Sequence, residues 1–141
     1  MTEKLLVAGY YSFAHDSGVC IKRIDSFIAD QKQKFPDIDY IGAFSDKNLQ
    51  GHENLKEKIK QGLPDIYCIM LVLPGWAEAT PVINILYEFK NIPVIVVAFA
   101  GYYSKEGLIA PAAAAGASTL KNSLRSLGFK YFIQYQRIGD L

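Results

Sequence analysis

The chain has 141 residues, of which 50% are hydrophobic and 21% are charged. This composition is typical of one folded domain and excludes a disordered chain. The 15 basic and 14 acidic side chains give a net charge of +1. Proteins that bind nucleic acids or anionic membranes need a clustered basic field. A net charge near +1 argues against such a field, so neither is expected as the main partner.

The two cysteines, Cys20 and Cys68, are isolated and do not form a CxxC pair. Their spacing predicts neither a zinc site nor a disulfide framework, and it favours a reducing, cytoplasmic location. The apolar run near the N-terminus, residues 5–11, is shorter than the core of a signal peptide. No stretch approaches the roughly 18 uninterrupted apolar residues of a membrane span.

The first half of the chain predicts two strands and two helices. Residues 5–11 are a short apolar run that predicts the first strand, and residues 38–44 alternate as an edge strand does. A helix is predicted over residues 20–35, before Pro36, and a lysine-rich helix over residues 49–62. The apolar positions of the first helix are Cys20, Ile21, Ile24, Phe27, Ile28 and Phe35, and charged residues including Arg23 are assigned to the rest of its surface.

The stretch from Asp65 to Glu78 is the centre of the predicted fold. Residues 66–74 are apolar without alternation, which is typical of a strand buried on both faces of a parallel sheet. The run breaks at Pro74 and Gly75 and is followed by Trp76, the single tryptophan of the chain.

The second half predicts two further helices and two further strands. Thr80 and Pro81 resemble a helix start, with the threonine as the capping residue, and Pro111 resembles another. The remaining predicted elements are a strand over 93–100, a loop over 101–110, a helix ending at Gly128 and a fifth strand over 129–138.

Five strands alternating with four helices predict a parallel sheet with right-handed crossovers and helices on both faces. We therefore expect residues 1–141 to form a single α/β domain, a three-layer sandwich with a five-stranded parallel sheet in the flavodoxin-like order 2-1-3-4-5.

Ligands of such sheets bind outside the carboxyl ends of the strands, where the strand order reverses. The residues expected to line that crevice, and so to bind a substrate, are His15, Asp16, Trp76, Glu78 and Tyr102.

Each of these candidates also has a structural interpretation. Trp76 could pack over its own loop rather than form a platform for a sugar. His15 could be a base oriented by Asp16, or both side chains could be solvated on a loop. Glu78 could simply complement the dipole of the following helix.

Several kinds of site are excluded because their motifs are missing. The chain has no GxGxxG or GxxxxGK[ST] after the first strand, no HxxxH or HExxH, and no GxSxG. These absences argue against a nucleotide cradle, a complete transition-metal site and a nucleophile elbow. A flavin carrier remains an alternative that a colourless protein would exclude.

The segments LPGWAEATPVINIL, IPVIVVAF and LKNSLRSLGFKYF together resemble the N-terminal domain of the L-fucose isomerase and L-arabinose isomerase-like family. The resemblance is densest over residues 66–132, and the Pro-x-Trp turn is its most specific part. It implies a domain that lines the substrate entrance of an aldose–ketose isomerase, with an aromatic side chain at Trp76 able to stack on the sugar.

The resemblance also implies that the divalent metal, usually manganese, is held by carboxylates and a histidine of a later domain. We therefore expect no catalytic residue, no metal ligand and no bound cofactor in this chain, and no isomerase activity by itself. The expected partners are an aldose or ketose and either a homo-oligomer or a separate domain or chain that carries the metal site. The alternative is a free-standing flavodoxin-like module that binds a small ligand or a protein without catalysis.

Overall fold

The computed structural model describes residues 3–137. Its strands are β1 (Lys4–Tyr11), β2 (Ile38–Ser45), β3 (Ile66–Leu73), β4 (Val94–Phe99), β5 (Tyr102–Ser104), β6 (Gly107–Ile109) and β7 (Tyr131–Gln136). Its helices are α1 (Ser17–Lys34), α2 (Leu49–Gly62), α3 (Ala79–Leu86) and α4 (Ala113–Ser126), and a 3₁₀ turn follows α3 at Tyr87–Phe89.

Five of the strands form one parallel sheet in the order β2-β1-β3-β4-β7. Because β7 is the predicted fifth strand, the predicted order 2-1-3-4-5 and the three-layer α/β architecture are confirmed. From β1 the chain crosses to β2 at one edge, whereas from β3 it proceeds to β4 on the other side. The order therefore reverses between β1 and β3, which is where doubly wound folds bind their ligands.

Two apolar clusters, one on each face, bury the central strand β3. Ile69 and Leu71 pack in the cluster that includes side chains of α2, α3 and α4, whereas Cys68 and Val72 pack with α1. Successive side chains of a strand point to opposite faces, so a strand covered on both sides has no polar positions. This explains the apolar run without alternation.

The structure corrects the predicted first helix. It begins at Ser17 rather than Cys20, because Asp16 is the N-cap and its Oδ1 accepts a hydrogen bond from the Val19 N–H at 3.0 Å. Two positions assigned to the apolar face are exposed, Ile21 to 37% and Phe35 to 51%. Arg23, which was assigned to the solvent side, is 1% exposed.

The predicted loop over 101–110 contains the hairpin of β5 and β6. Its turn is stabilised by Ser104, whose Oγ donates to the Gly107 carbonyl and accepts from the Glu106 N–H. Gly107 adopts a φ of 108°, a conformation that other residues rarely adopt. The predicted loop was therefore wrong, because local turn chemistry forms a hairpin from strands of three residues each.

Three further boundaries differ from the predictions. The N-cap of α3 is Glu78 rather than Thr80, and α4 begins at Ala113, two residues after Pro111. The fifth strand covers Tyr131–Gln136, and the predicted end at Ile138 lies outside the described residues. On α2, Leu49 is 74% exposed, so only the later apolar positions of that helix face the core.

None of the helices within residues 3–137 combines the length and hydropathy needed to cross a membrane.

Candidate functional site

The turn that follows β3 is held by hydrogen bonds from three other segments. The Trp76 N–H donates to the Pro111 carbonyl at 2.6 Å, and His15 Nε2 lies 3.1 Å from the Trp76 carbonyl. The Arg23 Nη1 donates to the Pro74 carbonyl at 3.1 Å. Because these bonds come from the β1–α1 loop, α1 and the segment before α4, the backbone of the turn is fixed on several sides.

Two glycines allow the close packing around this turn. A Cβ atom at Gly75 would lie 2.9 Å from His15 Nε2 and 3.0 Å from Pro111 Cβ. A Cβ atom at Gly116 on α4 would lie 3.0 Å from the Ala77 nitrogen. These positions require glycine because neighbouring atoms occupy the space of a side chain.

Trp76 projects from this fixed backbone and is 39% exposed. Its neighbours in the chain, Gly75 and Ala77, are buried and carry no bulk that could cover it. The residue is therefore only partly packed against the protein, and more than a third of its surface is exposed to solvent.

A cavity of about 230 Å³ lies beside the same turn, between the carboxyl end of β1 and the hairpin. We call it the Arg23 pocket. Its polar lining consists of His15, Asp16, Cys20, Arg23 and Tyr102, and apolar residues such as Pro111 complete its wall. The structure thus brings together three of the five predicted site residues. Trp76 and Glu78 do not line this cavity, although the Trp76 carbonyl contacts His15.

Arg23 lines this site and was not among the predicted site residues. Its Nη1 and Nη2 donate to the carbonyls of Pro74 and Ala100, at 3.1 and 2.8 Å, so the guanidinium joins the first residues after β3 and β4. Its Cζ lies 4.5 Å from the centre of the Tyr102 ring and 5.3 Å from that of Phe99. Burial lowers the pKa of Arg23, but a guanidinium remains charged at neutral pH.

The sequence does contain a signal for the burial of Arg23. Cys20, Ile24 and Phe27 are apolar positions of α1 at the spacing i, i+4, i+7, and Arg23 occupies the i+3 position of the same stripe. A charged residue within an apolar stripe marks a side chain that must find polar partners in the interior.

His15 and Asp16 face different partners. A carbonyl can only accept, so His15 Nε2 carries the proton in its contact with the Trp76 carbonyl. Asp16 Oδ1 is engaged by the Val19 N–H at the start of α1. The ring of His15 is thus oriented by the turn after β3, and nothing in the described contacts pairs it with Asp16. The hypothesis of a base oriented by Asp16 is not supported.

Glu78 lies at the other side of the turn, exposed, at the N-cap position of α3 without a side-chain capping bond. Near it lies Tyr10, whose buried hydroxyl has no hydrogen-bond partner within the described part of the chain. Burial raises the pKa of Tyr10, and the carboxylates of Asp46 and Glu78 raise it further. Tyr10 was not predicted as a site residue, because it belongs to the apolar run of the first strand.

Cys20 contributes a thiol to the Arg23 pocket. Burial raises the pKa of Cys20, although the neighbouring Arg23 cation lowers it in part and Asp16 raises it again. Cys20 is therefore a protonated thiol at neutral pH and a poor nucleophile or metal ligand.

The residues of this site do not fit the manganese ion that the family resemblance implies for the complete enzyme. The Arg23 cation in the pocket would repel a divalent cation, and Asp16 and His15 are already engaged with backbone groups. Over residues 3–137, no group of three or more histidine, cysteine, aspartate or glutamate side chains is placed to hold a metal.

Comparisons with protein-family models, with curated proteins and with solved structures found no match to this chain.

Proposed function

We propose that this chain is a sugar-binding domain, the substrate-entrance wall of an aldose–ketose isomerase of the L-fucose and L-arabinose isomerase type. The observation that carries the proposal is Trp76, whose partly exposed ring projects from a rigid turn at the carboxyl end of β3. Aromatic rings combine an apolar face with little conformational freedom, which makes them suitable contacts for a small ligand.

The surroundings of Trp76 support this proposal. Glu78, two residues on, is exposed and can accept hydrogen bonds from sugar hydroxyls. His15, Asp16 and Tyr102 lie on the other side of the turn, beside the point where the strand order reverses. The segments that resemble the isomerase family run from the end of β3 through α3, along β4, and from the second half of α4 into β7. These elements all lie on the β3 side of the switch point.

In this proposal the chain contributes binding, and the metal and the proton-transferring base come from another domain or another chain. Isomerisation needs both, because a metal polarises the oxygens and a base moves the proton. Apolar side chains exposed on the edge strand β7, Phe132 at 61% and Tyr135 at 58%, support association with such a partner or with a second copy. The two unpaired thiols are consistent with a proposed reducing, cytoplasmic location.

The test measures the melting temperature of the chain with L-fucose, L-arabinose and the unrelated polyol glycerol, each with and without Mn²⁺. We expect the melting temperature to rise with one of the sugars and not with glycerol, and no ketose to form. The rise should be lost in Trp76→Ala. Equal shifts with sugar and glycerol would refute the proposal, and ketose formation by the purified chain would refute the division of roles.

One observation favours a second candidate, a free-standing module that binds a small ligand without catalysis. It is the Arg23 pocket, a cavity of about 230 Å³ that is lined by residues of this chain. This candidate predicts binding in the pocket that is unaffected by Trp76→Ala.

A further inference from the structure

We infer that the Arg23 pocket binds a small monocarboxylate, whose carboxylate group pairs with the buried guanidinium of Arg23. The inference specifies the ligand of the second candidate function and does not depend on the sugar proposal, because Trp76 does not line this pocket.

The first argument is the charge of Arg23. The side chain is 1% exposed, and no carboxylate in residues 3–137 forms an ion pair with it. Its two recorded acceptors, the carbonyls of Pro74 and Ala100, are neutral dipoles. A buried cation without an ion-pair partner is costly, so a pocket containing one favours an anionic ligand that can approach it directly.

The second argument is the hydrogen-bonding capacity that remains. A guanidinium has five N–H groups, arranged in a planar fork that matches a carboxylate. Nη1 and Nη2 use one bond each for the two carbonyls, and the buried Nε has no acceptor within the described residues. The guanidinium is held in position by its backbone contacts while part of its donor set is unused.

The third argument is the position of the pocket at the start of α1. This helix has 18 residues, and the pocket is lined by residues of its N-cap and first turns, Asp16, Val19 and Cys20. The N-terminus of a helix carries a partial positive charge that favours an anion. The helix dipole and the guanidinium therefore act on the same cavity.

The lining also selects among anions. Asp16 places one negative charge at the pocket, which disfavours a doubly charged phosphate more than a singly charged carboxylate. The rest of the wall includes the apolar side chains of Pro74, Ile109 and Pro111, suited to the carbon skeleton of an organic acid. The volume of about 230 Å³ is roughly eight times the share of one water in the liquid, so the acid must be small.

The experiment is a titration of the ¹⁵N-labelled full chain with lactate, with lactamide as the neutral compound of the same size, and with inorganic phosphate. We expect saturable shifts at the backbone amides of Asp16, Val19 and Cys20 with lactate, with a dissociation constant of about 1 mM or tighter. Lactamide should bind at least about tenfold more weakly than lactate, because it lacks the charge that strengthens the hydrogen bonds to Arg23. Phosphate should also bind at least about tenfold more weakly, because its second negative charge is repelled by Asp16. In the native chain, the Arg23 Nε–H resonance should shift on lactate binding.

Two variants and a control separate binding from structure. Arg23→Gln should weaken lactate binding at least about tenfold. The same change at Arg125, an exposed residue of α4, should not weaken it. Because Arg23→Gln also removes bonds to the two carbonyls and could unfold the chain, Asp16→Asn is the second variant. Asparagine preserves the N-cap, and the loss of its negative charge should tighten binding of lactate and, to a greater extent, of phosphate.

The inference is overturned if lactate causes no saturable shifts, if lactamide binds as tightly as lactate, or if phosphate binds more tightly than lactate to the native chain. It is also overturned if the Nε–H resonance of Arg23 does not respond to bound lactate. Failure here leaves the sugar proposal standing, because sugar binding is tested separately at Trp76. Trp76→Ala, which should abolish sugar binding, should leave lactate binding unchanged.

Discussion

Gly75→Ala tests whether the turn after β3 is rigid because of close packing. The added Cβ would lie 2.9 Å from His15 Nε2, 3.0 Å from His15 Cδ2 and 3.0 Å from Pro111 Cβ. Real Cβ atoms rarely approach other atoms so closely, so the imidazole or the proline must move. The imidazole is the more movable of the two, and its displacement breaks the contact between Nε2 and the Trp76 carbonyl.

The expected cost follows from these two effects. Loss of one hydrogen bond costs about 1 kcal/mol, and forcing a methyl group into a well-packed site costs about 1 to 3 kcal/mol. The free energy of unfolding should therefore fall by about 2 to 4 kcal/mol. In a chain of this size, a loss of 1 kcal/mol lowers the melting temperature by about 3 °C, so Gly75→Ala should lower it by roughly 6 to 12 °C.

The assay is thermal unfolding followed by circular dichroism, with the His15 ring resonances recorded by NMR. Gly18→Ala is the matched control, because its Cβ would meet only Asp16 Oδ1, at 3.2 Å, and alanine favours the helix. We expect the control to melt at the native temperature or slightly above it. An unchanged melting temperature for Gly75→Ala, with unchanged His15 resonances, would refute the packing argument.

Three further changes have defined outcomes. Trp76→Ala should lower the free energy of unfolding by about 2 kcal/mol, because the residue is 39% exposed. Truncation of a core aromatic side chain costs more, about 3 to 5 kcal/mol. A loss of about 3 kcal/mol or more in urea denaturation would instead place Trp76 in the core. Gly116→Ala should destabilise the chain despite its helix preference, because the new Cβ would lie 3.0 Å from the Ala77 nitrogen; a more stable variant in the same assay would contradict this contact. Burial and the 2.9 Å hydrogen bond to Asp37 raise the pKa of Tyr67 from 10.0 to about 12. The protonated Tyr67 hydroxyl therefore contributes fully to the stability of the fold below pH 10, and this contribution is lost as the pH rises towards 12. Tyr67→Phe should reduce that alkaline loss, and identical pH profiles of native and variant chains would show that Tyr67 does not cause it.

The strand order and the layers could be predicted from the sequence because they depend on features that local residues determine. A run such as residues 66–73, apolar without alternation, is typical of a strand covered on both faces, and the alternation of strands and helices favours parallel crossovers. The same topology predicted a candidate site at the carboxyl ends of the strands, and the structure places His15, Asp16 and Tyr102 in one cavity there.

The details of the site depend on contacts distant in sequence, and these were not predicted. The apolar stripe of α1 signals that Arg23 is buried, but its partners are carbonyls 51 and 77 residues away, and no local pattern specifies those bonds. Likewise, the partner of the His15 ring is the carbonyl of Trp76, 61 residues away, rather than the adjacent Asp16. The sequence predicted the edge of the sheet that carries the candidate site, and tertiary contacts determined which side chains share a cavity there.

The central claim, that Trp76 is a platform for a sugar, can be tested directly by fluorescence because the chain contains a single tryptophan. Titration with L-fucose or L-arabinose should change the intensity or the emission maximum of Trp76 saturably, and the sugar should protect the ring from quenching by acrylamide. Glycerol at equal concentration should do neither. Emission and quenching that are the same with sugar and with glycerol, in a folded chain, would contradict the claim.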